Sequence, residues 1–130
     1  MTHDELLDRY AQLAVRSGLN LRKGQELLIT APLDAVPLVR RITEHAYKSG
    51  ATLVTAFYSD DPATLARYRF APDESFDTAP GWLFDGMAAA FRGGAARLAI
   101  AGEDPGLLAG QDPARLARAN KARSIAYRPA

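Results

Sequence analysis

Four carboxylates in two short turns are the residues best suited to chemistry. Asp60 and Asp61 lie in the run SDDP at 59–62, and Glu103 and Asp104 in GEDP at 102–105. Carboxylate oxygens are hard donors, and together these four would suit a cation such as magnesium. An acidic rim would also attract the ammonium group of an amine. The same residues have a plainer use. A carboxylate just before a proline or a helix start accepts the free N–H groups of the first turn. On that reading Asp61 and Asp104 are caps and Asp60 and Glu103 are solvated. The capping reading is preferred, because each turn leads into a proline in the way capping predicts.

Other chemistry is thinly supplied. The chain has two histidines, His3 and His45, and neither belongs to a spaced ligand set. Both read as ordinary surface or half-buried side chains. The absence of cysteine excludes disulfides, Cys-zinc sites and thiol nucleophiles, and it fits a cytoplasmic protein. No serine sits in a Gly-x-Ser-x-Gly elbow. No glycine-rich phosphate loop follows a strand, and acidic turns would repel phosphate, which argues against a nucleotide cofactor.

Three strand–helix units must position these residues. A first helix is expected from Thr2 to Ser17, with Leu6, Leu7, Tyr10, Leu13 and Ala14 on its buried face and Gly18 as its left-handed stop. Glu26–Ala31 reads as a strand stopped by Pro32. A helix capped by Asp34 should run to Ser49, burying Val36, Val39, Ile42, Ala46 and Tyr47, with Gly50 at its end. The second strand is Thr52–Tyr58. Asp61 then caps a short helix to Phe70, with Pro62 at its first position. Asp73–Pro80 reads as a polar connection or a single helical turn. Gly81–Arg92 is a further helix with Trp82, Leu83, Met87, Ala90 and Phe91 as core candidates, and Trp82 as an alternative interface residue. The third strand is Arg97–Ala101, and the last helix starts at Asp112-Pro113.

Alternating short strands and helices predict an α/β fold, a small mostly parallel sheet with helices on both faces. A Rossmann- or flavodoxin-like three-layer architecture fits, with strand order left open and a fourth strand either hidden or supplied by further sequence. In such sheets ligands sit beyond the C-terminal strand ends, where the acidic turns fall. The 130 residues fit a single domain. No apolar run approaches the roughly 20 residues of a membrane span, and the charged start MTHDELLDRY lacks a signal-peptide core.

Charge is unevenly spread. Residues 113–130 carry Arg115, Arg118, Lys121, Arg123 and Arg128 and no acid. No aromatic or glycine-rich pattern accompanies them, so a solvated face, or a face meeting an acidic neighbour, is preferred to nucleic-acid binding.

Several stretches, in order and spacing, resemble one family. They are YAQLAV at 10–15, GLNLRKGQ at 18–25, PLVR at 37–40, AYKSGA at 46–51, YSDD at 58–61, APDESF at 71–76, PGWL at 80–83 and GEDPGLLAG at 102–110. The match continues through DP at 112–113 to RANK at 118–121. The chain resembles the amino-terminal part of the aminopeptidase T / aminopeptidase S family, the thermophilic-type metallo-aminopeptidases. The resemblance implies removal of N-terminal amino acids from peptides by two divalent metal ions, zinc, cobalt or magnesium. It implies that Glu, His and Asp ligands lie in a C-terminal catalytic domain, and no residue of this chain matches one. Residues 1–130 would then be a non-catalytic N-terminal domain, inactive alone, that docks to the catalytic domain and helps enclose its cavity in a homodimer. Arg115, Arg118, Lys121 and Arg123 are the docking candidates. The competing expectations are a free-standing module binding a small cation or amine at the acidic turns, and an independent hydrolase using Asp60, Asp61, Glu103 and Asp104.

Overall fold

The computed structural model describes residues 2–101 and 106–127. They fall into two compact units, drawn from Met1–Ser59 with Gly94–Gly102 and from Asp60–Gly93 with Glu103–Ala130.

The first unit is built on helix α1 (His3–Leu13), strand β1 (Glu26–Pro32), helix α2 (Val36–Lys48), strand β2 (Leu53–Ser59) and strand β3 (Ala96–Ala99). The three strands form a parallel sheet in the order β2-β1-β3. Leu28 of β1 lies opposite Thr55 on one side and Arg97 on the other. The central strand explains its own sequence. Paired on both edges, β1 buries Leu27, Leu28, Ile29 and Ala31, the unbroken apolar run expected of a parallel strand. Ala11 and Val15 from the first helical segment and Val39, Ile42 and Ala46 from α2 complete this core with Leu27, Ile29 and Ala31.

Local chemistry sets the ends of these elements. Thr2 caps α1 through a capping box, its hydroxyl accepting from the Glu5 N–H while the Glu5 carboxylate accepts from the Thr2 N–H. The helix widens into a π turn at Ala14–Gly18, closed by the Leu19 N–H on the Ala14 carbonyl at 2.8 Å. The left-handed residue that releases the chain is Asn20, with φ of 47°, and not Gly18. An asparagine side chain tolerates that conformation. At the end of α2 the expectation holds, since Gly50 has φ of 100°. A Cβ there would come within 2.9 Å of Lys23 Cγ, so glycine also permits the close approach that lets the Gly24 N–H reach the Gly50 carbonyl at 2.8 Å.

Other boundaries differ from the sequence reading. Asp34 does not cap α2. It lies in a 3-10 turn, Leu33–Ala35, and the helix starts from Ala35 without a side-chain cap. The buried face of α1 is also turned. Ala11 and Val15 are buried, whereas Leu6, Tyr10 and Leu13 are exposed. Both sets satisfy helical spacing, and it is Ala11 and Val15 that join the core with β1 and α2. Tyr47 is likewise exposed, with its hydroxyl accepting the Val54 N–H at 3.0 Å on strand β2.

The second unit contains α3 (Asp61–Phe70), a 3-10 turn at Asp73–Asp77, α4 (Gly81–Arg92) and α5 (Pro113–Tyr127). Phe76, fully buried, packs with Tyr68 and Ala119, and Ala71, Leu108 and Leu116 close around them. Met87 and Ala88 are the buried residues of α4, while Trp82 near its start is 78% exposed. Among the described residues no helix is long and apolar enough to cross a membrane.

Candidate functional site

The acidic strand ends were the first candidates. Strand β2 ends at Ser59, and the carboxylate of Asp60 accepts the Ala63 N–H at 3.3 Å. The Asp60 carbonyl accepts from both the backbone N–H and the hydroxyl of Thr64. Asp60 is therefore the N-cap of α3. Asp61, expected in that role, is the first helical residue, and Pro62 is the second. The shift of one residue has a simple cause. The extended backbone of Asp60, with ψ of 118°, lets its side chain fold back over the first turn, as a cap requires. Glu103 and Asp104 lie outside the described residues, so the proposed four-carboxylate rim is represented here by Asp60 and Asp61 alone.

The family resemblance implies divalent metals, and the donor chemistry of the described residues does not fit them. No group of three or more His, Cys, Asp or Glu side chains comes together among those residues. Asp60 is committed to its helix, and a second-metal site would need several more oxygen or nitrogen donors converging on one point.

Among the described residues, polar side chains converge in an ionic cluster in each unit. In the first, Asp8 of α1 faces α2. His45 Nε2 donates to Asp8 Oδ1 at 3.0 Å, and Arg41 Nη1 lies 3.6 Å from the same oxygen. Arg41 also reaches Asp4 at 3.9 Å. The hydrogen bond from His45 holds the Asp8 carboxyl below the usual carboxylate range. The positive fields of His45 and Arg41 add to it, and partial desolvation opposes it. His45 is thus a tie between two helices. His3, at the start of α1, is exposed and takes no part in this cluster.

In the second unit, the basic helix meets acids of its own chain. The Arg118 guanidinium grips Asp77 with two hydrogen bonds, Nε to Oδ1 at 2.9 Å and Nη2 to Oδ2 at 2.8 Å. It also donates to both carboxylate oxygens of Asp73 at 3.2 Å and to the Asp73 carbonyl at 2.8 Å. Arg115 Nε donates to Asp73 Oδ1 at 3.1 Å. Hydrogen bonding from Arg118, reinforced by its charge, pulls the Asp73 and Asp77 carboxyls below their ordinary range, and the same bonds raise the Arg118 pKa. Phe76 lies beneath. The Arg115 guanidinium stands 5.2 Å from its ring centre and that of Arg67 5.3 Å, while Tyr68 stacks on it at 5.3 Å. Arg67 Nη2 further donates to the carbonyls of Ser75 and Thr78, each at 3.1 Å.

The sequence reading offered Arg115 and Arg118 a solvated face or an acidic neighbour, and in the structure both bond to acids of their own chain. Lys121 and Arg123 stay exposed, Arg123 bonded to Asn120 Oδ1 at 2.6 Å. Both clusters leave a trace in the sequence. Asp4 and Asp8 share a spacing of four with Arg41 and His45, and Asp73 and Asp77 repeat a similar turn spacing against Arg115 and Arg118. Matched pairs of opposite sign at one-turn spacing are the signal. What these arrangements do is fasten helices and a turn. They contain no activated nucleophile and no open coordination position.

A match to the family model described as thermophilic metalloprotease (M29) covers residues 3–130, and the chain belongs to that family. Among curated relatives, aminopeptidase T of Thermus thermophilus is 52% identical over 124 residues, which is 95% of this chain and 30% of the relative. Aminopeptidase T of Thermus aquaticus is 50% identical, over 96% of this chain and 31% of its own length. Aminopeptidase 2 of Geobacillus stearothermophilus is 42% identical over 92% of this chain and 29% of its own length. The solved structure of wild-type AmpT from Thermus thermophilus superposes with a TM-score of 0.93 at 49% identity, covering 98% of this chain and 32% of that one. The α/β fold is therefore shared with that structure. The chain spans about 30% of the length of the curated relatives it matches.

Proposed function

We propose that this chain is the non-catalytic N-terminal α/β part of a metal-dependent aminopeptidase that removes N-terminal amino acids from peptides. Its role is to support, dock to and help enclose a dinuclear-metal catalytic part contributed by the rest of the polypeptide, in a homodimer. The observation that carries the reading is a disproportion. Half-identity to aminopeptidase T extends over 95% of this chain while leaving 70% of the relative's length unmatched. The donor chemistry points the same way, since Asp60 is spent on a helix cap and His45 on an interhelical tie.

The metals, zinc, cobalt or magnesium, would be held by the part of the polypeptide outside these residues. On α5, the exposed Lys121 and Arg123 are the residues best placed to meet an acidic neighbour. Arg115 and Arg118 could do so only by exchanging Asp73 and Asp77 for new partners.

Equilibrium dialysis tests the assignment. The 130-residue chain, dialysed against zinc, cobalt or magnesium, should retain no stoichiometric metal, while the full-length protein should. Tight stoichiometric retention by the short chain would place the metal centre here and sink the proposal.

A further inference from the structure

Helix α1 has a second apolar face, which nothing among the described residues covers. Ala11 and Val15 turn the first helical segment toward the sheet. Leu6, Tyr10 and Leu13 follow the spacing i, i+4, i+7 and so share a different face, nearly opposite the first at about 100° per residue. Their exposures are 38%, 57% and 52%. Solvent-facing stripes of a helix normally carry its charge. Here the acids fall elsewhere, with Asp4 and Asp8 turned to Arg41 and His45 of α2. The capping box and the π turn fix both ends of the segment, so the stripe is presented by a rigid element.

We propose that this face is the seat on which the larger, remaining part of the polypeptide packs. The inference rests on reading the chain as one part of a longer aminopeptidase. Two arguments choose that occupant over a second copy of this chain. The first is length. The relatives extend over more than twice as many residues again as this chain matches, so the full protein has a larger body to place against it. The second is area. The three side chains offer roughly 300 Å² of surface. Two free copies need about 800 Å² from each partner to stay together. A covalently attached partner does not, because the tether supplies a high effective concentration. Tyr10 at the centre of the stripe, apolar in its ring and polar at its tip, is the residue type enriched in such contacts.

Tyrosine nitration with peptide mapping, run on the 130-residue chain and on the full-length protein, tests the proposal. Tyr68, 8% exposed, serves as the protected reference in both. Tyr10 should react readily in the short chain at every protein concentration and about tenfold more slowly in the full-length protein, a ratio equivalent to about 1.4 kcal/mol. Tyr10→Glu should leave the thermal midpoint of the short chain unchanged and should raise the trace-protease cleavage rate of the full-length protein between its two parts by about tenfold. Equal nitration of Tyr10 in both proteins overturns the docking face. Concentration-dependent protection in the short chain, with a dimer in sedimentation that Tyr10→Glu dissolves, overturns the occupant in favour of a second copy. Metal-dependent peptide hydrolysis by the unmodified full-length protein is assayed alongside. Its absence sinks the functional reading whatever Tyr10 does, and its presence with a freely reactive Tyr10 sinks the docking face alone.

Discussion

Replacing Phe76 by alanine and by leucine separates two contributions that coincide at one side chain. The ring is fully buried and supplies apolar volume to the second unit's core with Tyr68, Ala119 and Leu116. It also offers a face to two guanidinium groups, 5.2 and 5.3 Å away, and a stack to Tyr68 at 5.3 Å. Deleting a buried phenylalanine costs about 3–5 kcal/mol, from lost transfer energy and the cavity left behind. Leucine restores most of the apolar volume and none of the ring-specific contacts. The stack is worth about 0.5–1.5 kcal/mol. Each cation–π contact is worth about 0.5–1 kcal/mol where the cation is partly solvated, as Arg115 is. Phe76→Leu should therefore cost about 2 kcal/mol, clearly less than Phe76→Ala. Urea unfolding followed by far-ultraviolet circular dichroism reads both changes through the loss of the helices of the unit where they act. A leucine variant within about 0.5 kcal/mol of the parent, at unchanged denaturant slope, would refute the ring-specific account. A leucine variant as damaged as the alanine variant would show that shape alone governs the site.

Three further changes probe other joints. Arg118→Ala removes the hydrogen bonds that hold the Asp73 and Asp77 carboxyls below their ordinary value of 3.8. That contribution is present above the ordinary value and is lost as the pH falls through the depressed folded values, so the urea midpoints of parent and variant should differ at neutral pH and converge in acid. A gap undiminished at pH about 2 contradicts the assignment. Because the cluster is solvent-accessible, the gap at neutral pH should also shrink in high salt. Gly50→Ala combines a φ of 100° with a Cβ 2.9 Å from Lys23 Cγ, and should lower stability by about 1–3 kcal/mol in thermal unfolding, whereas a neutral result would deny the close approach. Tyr47→Phe deletes the hydroxyl that accepts the Val54 N–H on strand β2. Water can replace it at that exposed site, so the loss should be no more than about 1 kcal/mol, with faster hydrogen exchange confined to Val54 as the local signature.

The strands were legible because a central parallel strand leaves a run such as Leu27-Leu28-Ile29 that no other element would bury so fully. Strand order was not, since β3 pairs with β1 across the whole length of α2, β2, α3 and α4, and local periodicity carries no record of that pairing. The face of α1 was misread for a related reason. Leu6, Tyr10 and Leu13 fit helical spacing as well as Ala11 and Val15 do, and hydrophobicity favours the larger residues. What decides is which face α2 and the sheet pack against, a tertiary fact. The caps of α2 and α3 differed by the local backbone conformation, which a proline specifies for itself and for its predecessor but no further. The ionic clusters leave only a matched spacing of opposite charges, which acquires meaning once the elements are set side by side, because each joins residues 33 or more positions apart.

The most direct measurement is hydrolysis of leucine p-nitroanilide by the 130-residue chain, with and without added cobalt, zinc or magnesium, beside the full-length protein under the same conditions. The account predicts metal-dependent turnover by the full-length protein and none by the short chain. Turnover by the short chain alone would contradict it and would return the acidic turns holding Asp60, Asp61, Glu103 and Asp104 to the place of an active site.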